Sequence, residues 1–203
     1  MSGTSIRIVA FIVTAVYFVA TWMTTGSPET ALLRYLSTAI FVVSVCVGVW
    51  EKWLWRLPVF QRLPSVPRNV RGTWQAELKS LWVDPKTKKG IGGKTVFLVI
   101  RQTGATMSIV LLSDESQSRT SLARIKREDA RWFVHYIYIN EPNLDVSDHS
   151  PMHHGSGVLE VVGQPAQRLT GKYWTDRDSK GVLLLSARSE KLADDYIDAK
   201  ALF

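Results

Sequence analysis

The sequence predicts two N-terminal transmembrane α-helices followed by a mainly-β domain, a compact eight-stranded antiparallel β-barrel with a short C-terminal helix. Three observations predict it. Two uncharged apolar runs of bilayer-spanning dimension stand within the first 55 residues. Near residue 72 the hydrophobic period changes from helical to strand-like. Eight alternating stretches then follow at regular spacing, broken by Gly, Pro, Asp and Asn turns, with no helical pattern between them.

The first run, IVAFIVTAVYFVATWM, covers Ile8–Met23, and the second, YLSTAIFVVSVCVGVW, covers Tyr35–Trp50. Extended through the tryptophans at their ends, both approach the about 20 residues that cross a bilayer core. Tyr and Trp at the ends suit the headgroup level. Val19-Ala20-Thr21-Trp22 offers no small-x-small cleavage site and a second apolar run follows at once, which argues against a signal peptide. The second run is apolar all round, unlike a core helix with one polar face. Ala10, Thr14, Tyr17 and Thr21 recur at helical spacing, as do Ser37, Phe41, Ser44 and Gly48. Such small and hydroxyl faces let membrane helices approach closely, either within one chain or between copies.

Charge sets the orientation. The connection TTGSPET holds no Lys or Arg, whereas Lys52, Arg56, Arg62, Arg68 and Arg71 follow the second run and Arg7 precedes the first. Positive flanks stay inside, so both termini and the large domain are expected in the cytoplasm. The formal charge of +7 divides unevenly: residues 1–71 hold seven Lys/Arg against two Glu, and residues 72–203 hold 18 against 16 Asp/Glu. The near-neutral larger part does not point to a DNA or RNA polymer as partner. One cysteine, Cys46, excludes an intramolecular disulfide.

Three regions result: 1–55 with the two helices, 56–71 as a basic, Pro-punctuated linker expected near the anionic inner leaflet, and 72–203 as the barrel. The strands are predicted at GTWQAELKSLW, KTVFLVIRQ, TMSIVLLS, SRTSLARIK, RWFVHYIYIN, HGSGVLEVVG, QRLTGKYWT and GVLLLSAR. Closure into a barrel would hide the edges of so many apolar strands. The last segment, SEKLADDYIDAKALF, places Leu192, Tyr196, Ala199 and Phe203 on one helical face, suited to packing outside the barrel.

Catalytic and metal motifs fail on inspection. GGKT at 92–95 resembles the tail of a phosphate-binding loop, but Lys88 stands where its first glycine should be, and a strand follows. His153-His154, with His149 nearby, lacks helical His spacing or Cys partners, and reads as a solvated loop rather than a metal site. GSG at 155–157 lacks the rest of a nucleophile elbow. Asp176/Asp178 and Asp194/Asp195 read as turn and helix-surface acids. With no catalytic constellation, a binding domain without enzymatic activity is expected. Trp74, with Arg188 from a neighbouring strand, reads as a structural plug.

GKYWTDRDSKG at 171–181 is the unusual stretch. Alternation puts Gly171, Tyr173 and Thr175 on one side and Lys172 and Trp174 on the other. If Tyr173 points inward, Thr175 and then Arg177 line a barrel mouth. Arg101, Arg119 and Lys180 are further cations at strand ends. An eight-stranded barrel is just wide enough to hold one small ligand. Aromatic rings stack on bases and Arg forks grip phosphates.

The two apolar runs, the basic linker and a domain opening on GTW and closing on GKYWTDRDSKGVLLLSAR resemble the SMODS-associating, two-transmembrane, β-strand-rich effectors of bacterial CBASS anti-phage systems. The resemblance covers nearly the whole chain. It implies a cyclic oligonucleotide, a cyclic dinucleotide above all, made by a CBASS nucleotidyltransferase and bound in the barrel. It implies no other cofactor. It further implies homo-oligomerisation, disruption of the bacterial inner membrane and death of the infected cell. Tyr173, Thr175 and Arg177 become the ligand-contact candidates by that resemblance, while Arg101, Arg119 and Lys180 rest on charge alone. Two other readings remain: a tethered barrel carrying a lipid or other apolar ligand, and a scaffold without a ligand.

Overall fold

The computed structural model describes residues 10, 11, 13–15, 17–19, 21–23, 26, 30–82, 90, 92–147 and 151–203, without the side chains of 30–39. Arg7, most of the TTGSPET connection, Lys88, His149 and the side chains of Arg34 and Ser37 lie outside the described residues. The chain divides into two compact units, residues 1–60 with 103–105, and residues 61–102 with 106–203.

In the first unit the described residues of 10–23 are helical, and α1 runs over Thr30–Lys52. A 3₁₀ turn at Leu54–Arg56 and a four-residue α2 at Pro58–Gln61 follow, the latter starting on a proline, whose fixed φ suits a first helical position. Three helix hydroxyls turn back on their own backbone: Thr14 donates to the Ala10 carbonyl (2.8 Å), Thr21 to that of Tyr17 (2.9 Å) and Ser44 to that of Ile40 (2.8 Å). Large apolar side chains, among them Phe11, Phe18, Phe41 and Val43, point outward. Among the described residues no helix is long and apolar enough to cross a membrane.

The second unit is a closed antiparallel barrel in which each strand pairs with the next and the last pairs with the first. Its strands are β1 Gly72–Ser80, β2 Lys94–Gln102, β3 Met107–Leu112, β4 Ser116–Glu128, β5 Arg131–Pro142, β6 His153–Val162, β7 Arg168–Thr175 and β8 Lys180–Ser189. All eight fall where the alternation predicts them, within a few residues at the ends. The inward parity gathers Trp74, Ala76, Leu98, Ile100, Val134, Leu159, Leu169 and Leu185 into one core. The opposite parity of β2, Phe97 and Val99, would be wet were it not covered by the C-terminal segment. That segment packs Leu192, Tyr196 and Ala199 there, and Phe203 stacks on Phe97 with centroids 5.8 Å apart. Its regular helix, α3, spans only Tyr196–Lys200, capped by the Asp195 carboxylate on the Asp198 amide (2.8 Å).

One end of the barrel is shut. Trp74 is fully buried, donates its indole N–H to the Val70 carbonyl (2.9 Å), and lies under the Arg188 guanidinium at 5.4 Å from the ring centroid. Arg188 also donates to the carbonyls of Arg71 and Asn69, and Gln102 holds the Val70 amide and the Arg68 carbonyl. Residues 68–71 are thereby laid across this end, the site the sequence assigned to a structural plug. Gly72 makes the entry into β1 feasible: its φ is +141°, and a Cβ there would sit 2.3 Å from the Ser189 carbonyl oxygen.

Candidate functional site

At the other end the barrel is open, onto a cavity of about 490 Å³. That is within the range of small-molecule sites, about 300–1,000 Å³. Its floor is apolar, built from Leu98, Ile109 and Leu183, with Tyr136 above it. Tyr138, Tyr173, Ser118 and Asn140 form the middle, and Lys94, Thr175, Ser179, Arg177 and His153 stand at the mouth.

Room for the tyrosines comes from glycines on β6. Tyr138 pairs with Gly155 and Tyr136 with Gly157, and a Cβ on either glycine would lie 2.3–2.4 Å from the facing ring. The GSG of 155–157 is thus a seat for two aromatic rings. Tyr136 and Tyr138 stack with centroids 5.8 Å apart. Burial pushes the phenols of Tyr136 and Tyr138 far above their usual range, helped for both by the Tyr173 phenol, and raises Tyr173 against a lowering hydrogen bond from Ser80. All three remain protonated and neutral. The Tyr136 hydroxyl is buried without a hydrogen-bond partner among the described residues. Beside this group Ser118 donates to Asn140 Oδ1 (2.7 Å), one buried polar pair on adjacent strands.

The mouth is where the GKYWTDRDSKG stretch turns. Thr175 shares its hydroxyl with Ser179 (2.7 Å) and accepts from the Arg177 amide (3.2 Å), closing a turn that carries the exposed Arg177 side chain to the rim. Arg177 Nη1 reaches the Pro151 carbonyl at 3.4 Å. Across the opening Lys94 is held by Glu115 (2.8 Å) and Asp114. Burial pulls the Lys94 ammonium down, but the hydrogen bonds it donates to Asp114 and Glu115 outweigh it and leave the pKa raised. The Lys94 hydrogen bond holds the Asp114 carboxyl below its usual range.

Of the six residues the sequence singled out, Tyr173, Thr175 and Arg177 line this cavity. Arg101 lies on the outer parity of β2 and reaches Asp194 at 3.4 Å. Arg119, in register with Ile139, grips both oxygens of Glu141 on the outside (2.5 and 2.6 Å). Lys180 pairs in register with Trp174 and shares its outward side. The strand-end cations therefore split by parity and do not converge. Sequence reasoning missed Lys94, Tyr136, Tyr138, Ser118 and Asn140. Lys94 had a readable signal, since it shares its parity with Val96, Leu98 and Ile100, whereas β5 is aromatic or aliphatic on both faces and hides which side Tyr136 takes. Among the described residues no group of His, Cys, Asp and Glu could hold a metal ion.

A blind barrel, neutral and tyrosine-lined inside, with Arg177, Lys94 and Glu115 as its charged rim, suits one small, flat ligand whose charges stay at the mouth. Residues 65–187 match the family described as Cap15, cyclic dinucleotide receptor domain. Over 136 residues the chain is 31% identical to CD-NTase-associated protein 15 of Staphylococcus schleiferi, covering 67% of this chain and 69% of that protein. The chain belongs to this family of CBASS effectors and carries its cyclic dinucleotide receptor domain.

Proposed function

We propose that the barrel cavity takes a cyclic dinucleotide with its rings among Tyr136, Tyr138 and Tyr173 and its phosphates at the rim, where Arg177 and Lys94 stand. The observation that carries this reading is the division of the cavity into an uncharged interior and a mouth bearing cations. Phosphates keep water and counter-charge at the rim, while bases leave water for aromatic surface. An apolar-ligand carrier has no use for the Ser118–Asn140 pair or the cationic rim, and a scaffold has no use for a cavity.

The output in this reading is assembly, not catalysis. The chain is a two-pass protein of the bacterial inner membrane with its barrel in the cytoplasm. Ligand binding drives self-association through the helices, and the membrane is disrupted to end the infected cell. The run Tyr35–Trp50 lies within the continuous helix α1, the hydroxyls of Thr14, Thr21 and Ser44 satisfy themselves on their own backbone, and apolar side chains face outward, all of which support a lipid environment. Ser44 and Gly48 stand exposed on α1, available to a second copy.

The test is a thermal-shift screen of the full chain in detergent against cyclic dinucleotides and trinucleotides. A ligand at about 100 Kd should stabilise the fold by about 2.7 kcal/mol. Stabilisation by a lysolipid or fatty acid, with none by any cyclic nucleotide, would transfer the cavity to the apolar-carrier reading.

A further inference from the structure

The outer face of the barrel carries a feature that the cavity does not explain. Leu122, Ile137, Ser156 and Trp174 lie in one register row across β4, β5, β6 and β7. Three of them are large, apolar and wet: Leu122 is 63% exposed, Ile137 46% and Trp174 48%. The row lies in a groove of about 400 Å³. Cations border it. Arg124 and Lys172 stand in the next outward row and Lys180 continues the first beside Trp174. None of these three belongs to an ion pair among the described residues.

A shape of the opposite kind stands on the other side of the barrel. In a closed ring of eight strands β2 is four strands from β6, hence diametrically across. The C-terminal segment that covers β2 uses Tyr196 and Ala199 for packing and turns Ile197 outward, 76% exposed. Ile197 is flanked by the exposed acids Asp198 and Asp194, the latter reached by Arg101 at 3.4 Å, with the exposed Lys200 closing the same short helix. A large apolar residue left in water on a well-capped turn, between two carboxylates, complements an apolar groove bordered by Arg and Lys.

We infer that the barrels of successive copies dock head to tail, with the Ile197 knob of one copy seated in the Leu122–Ile137–Trp174 groove of the next. Asp194 and Asp198 then meet Arg124 and Lys172. Because the two surfaces lie on opposite sides of one molecule, the contact is heterologous and extends into a row or ring of copies. A face-to-face dimer through the groove would oppose like charges. Docking on anionic lipid would bring Glu128 and Glu160, which share this outer face, against phosphate. The inference does not depend on what the cavity binds.

The test uses the full chain in membranes, with the exposed Cys46 replaced by serine. Copies bearing Ile197→Cys and copies bearing Ile137→Cys, differently tagged, are mixed and oxidised without nucleotide and with cyclic di-adenylate or cyclic di-guanylate. Disulfides should join a 197 copy to a 137 copy and not two copies of the same kind. Ile197→Asp or Trp174→Glu alone should cut higher assemblies at least about tenfold. The two variants mixed should give dimers and nothing longer, since each retains one intact surface. If Trp174→Glu lowers the melting temperature, Lys172→Glu tests the same groove through charge. Cross-links between two 137 copies, or none under any condition, overturn the inference. So does cross-linking left intact in Trp174→Glu, which would free the groove from the contact. Nucleotide affinity of the Ile197→Asp chain, measured separately, reports on the cavity alone.

Discussion

Two side chains of the cavity make opposite kinds of prediction. Tyr136 holds a buried hydroxyl that no described residue satisfies, and an unmet buried polar group costs about 1–3 kcal/mol. Tyr136→Phe should therefore stabilise the empty barrel by about 1 kcal/mol, seen as a rise of about 3–5 °C in its unfolding midpoint. The same change should weaken cyclic dinucleotide binding if the hydroxyl donates to the ligand. A lower midpoint in the empty protein would mean that the hydroxyl already has a partner. Arg177 lies at the exposed rim, where a charge contact is worth less than in a dry pocket. We expect Arg177→Ala to cost about 1–2 kcal/mol, near tenfold in affinity by calorimetric titration, with partial recovery in Arg177→Lys. Unchanged affinity would remove the 175–179 turn from the site.

Among the elements, the β3–β4 turn is tied to β2 by Lys94 between Asp114 and Glu115. The signs of the two shifts set a pH window. The Asp114 pKa is depressed below 3.8, so its contribution is present above that value and is lost as pH falls through the lower folded one. The Lys94 pKa is raised above 10.5, so its contribution is complete below that value and is lost as pH climbs past the folded one. The pair is half in water, which holds its worth below about 1 kcal/mol across the neutral range. Lys94→Met should return the Asp114 carboxyl toward its ordinary pKa, read by NMR titration. An unmoved carboxyl would mean that the surrounding backbone amides set its pKa. Element by element, the strands were legible because alternation and turn chemistry agreed along the whole barrel. Tyr173 and Thr175 were legible because the alternation of β7 puts them on the same side as Leu169 and Gly171. Arg101 and Arg119 were not, since a strand-end cation reads the same from either parity until a partner such as Asp194 or Glu141 is known. The C-terminal helix was overextended: Leu192 and Phe203 do pack beside Tyr196 and Ala199, but through irregular chain on either side of a five-residue helix.

At the scale of the molecule, the proposed topology rests on five cations after the second apolar run and none in the connection before it. A phosphatase–galactosidase dual reporter fused after Phe203 should show only cytoplasmic activity, and periplasmic activity would remove the receptor from the compartment that supplies its ligand. The plug of Trp74, Arg188 and residues 68–71 has a consequence for timing. A tube shut at one end has a single doorway, so whatever settles among the tyrosines must leave past the same groups that admitted it. Narrowing that doorway would slow entry and exit by the same factor and leave the equilibrium untouched. A variant that changes occupancy at equilibrium therefore acts on the groups around the bound molecule, and one that changes only the approach to equilibrium acts on the entrance.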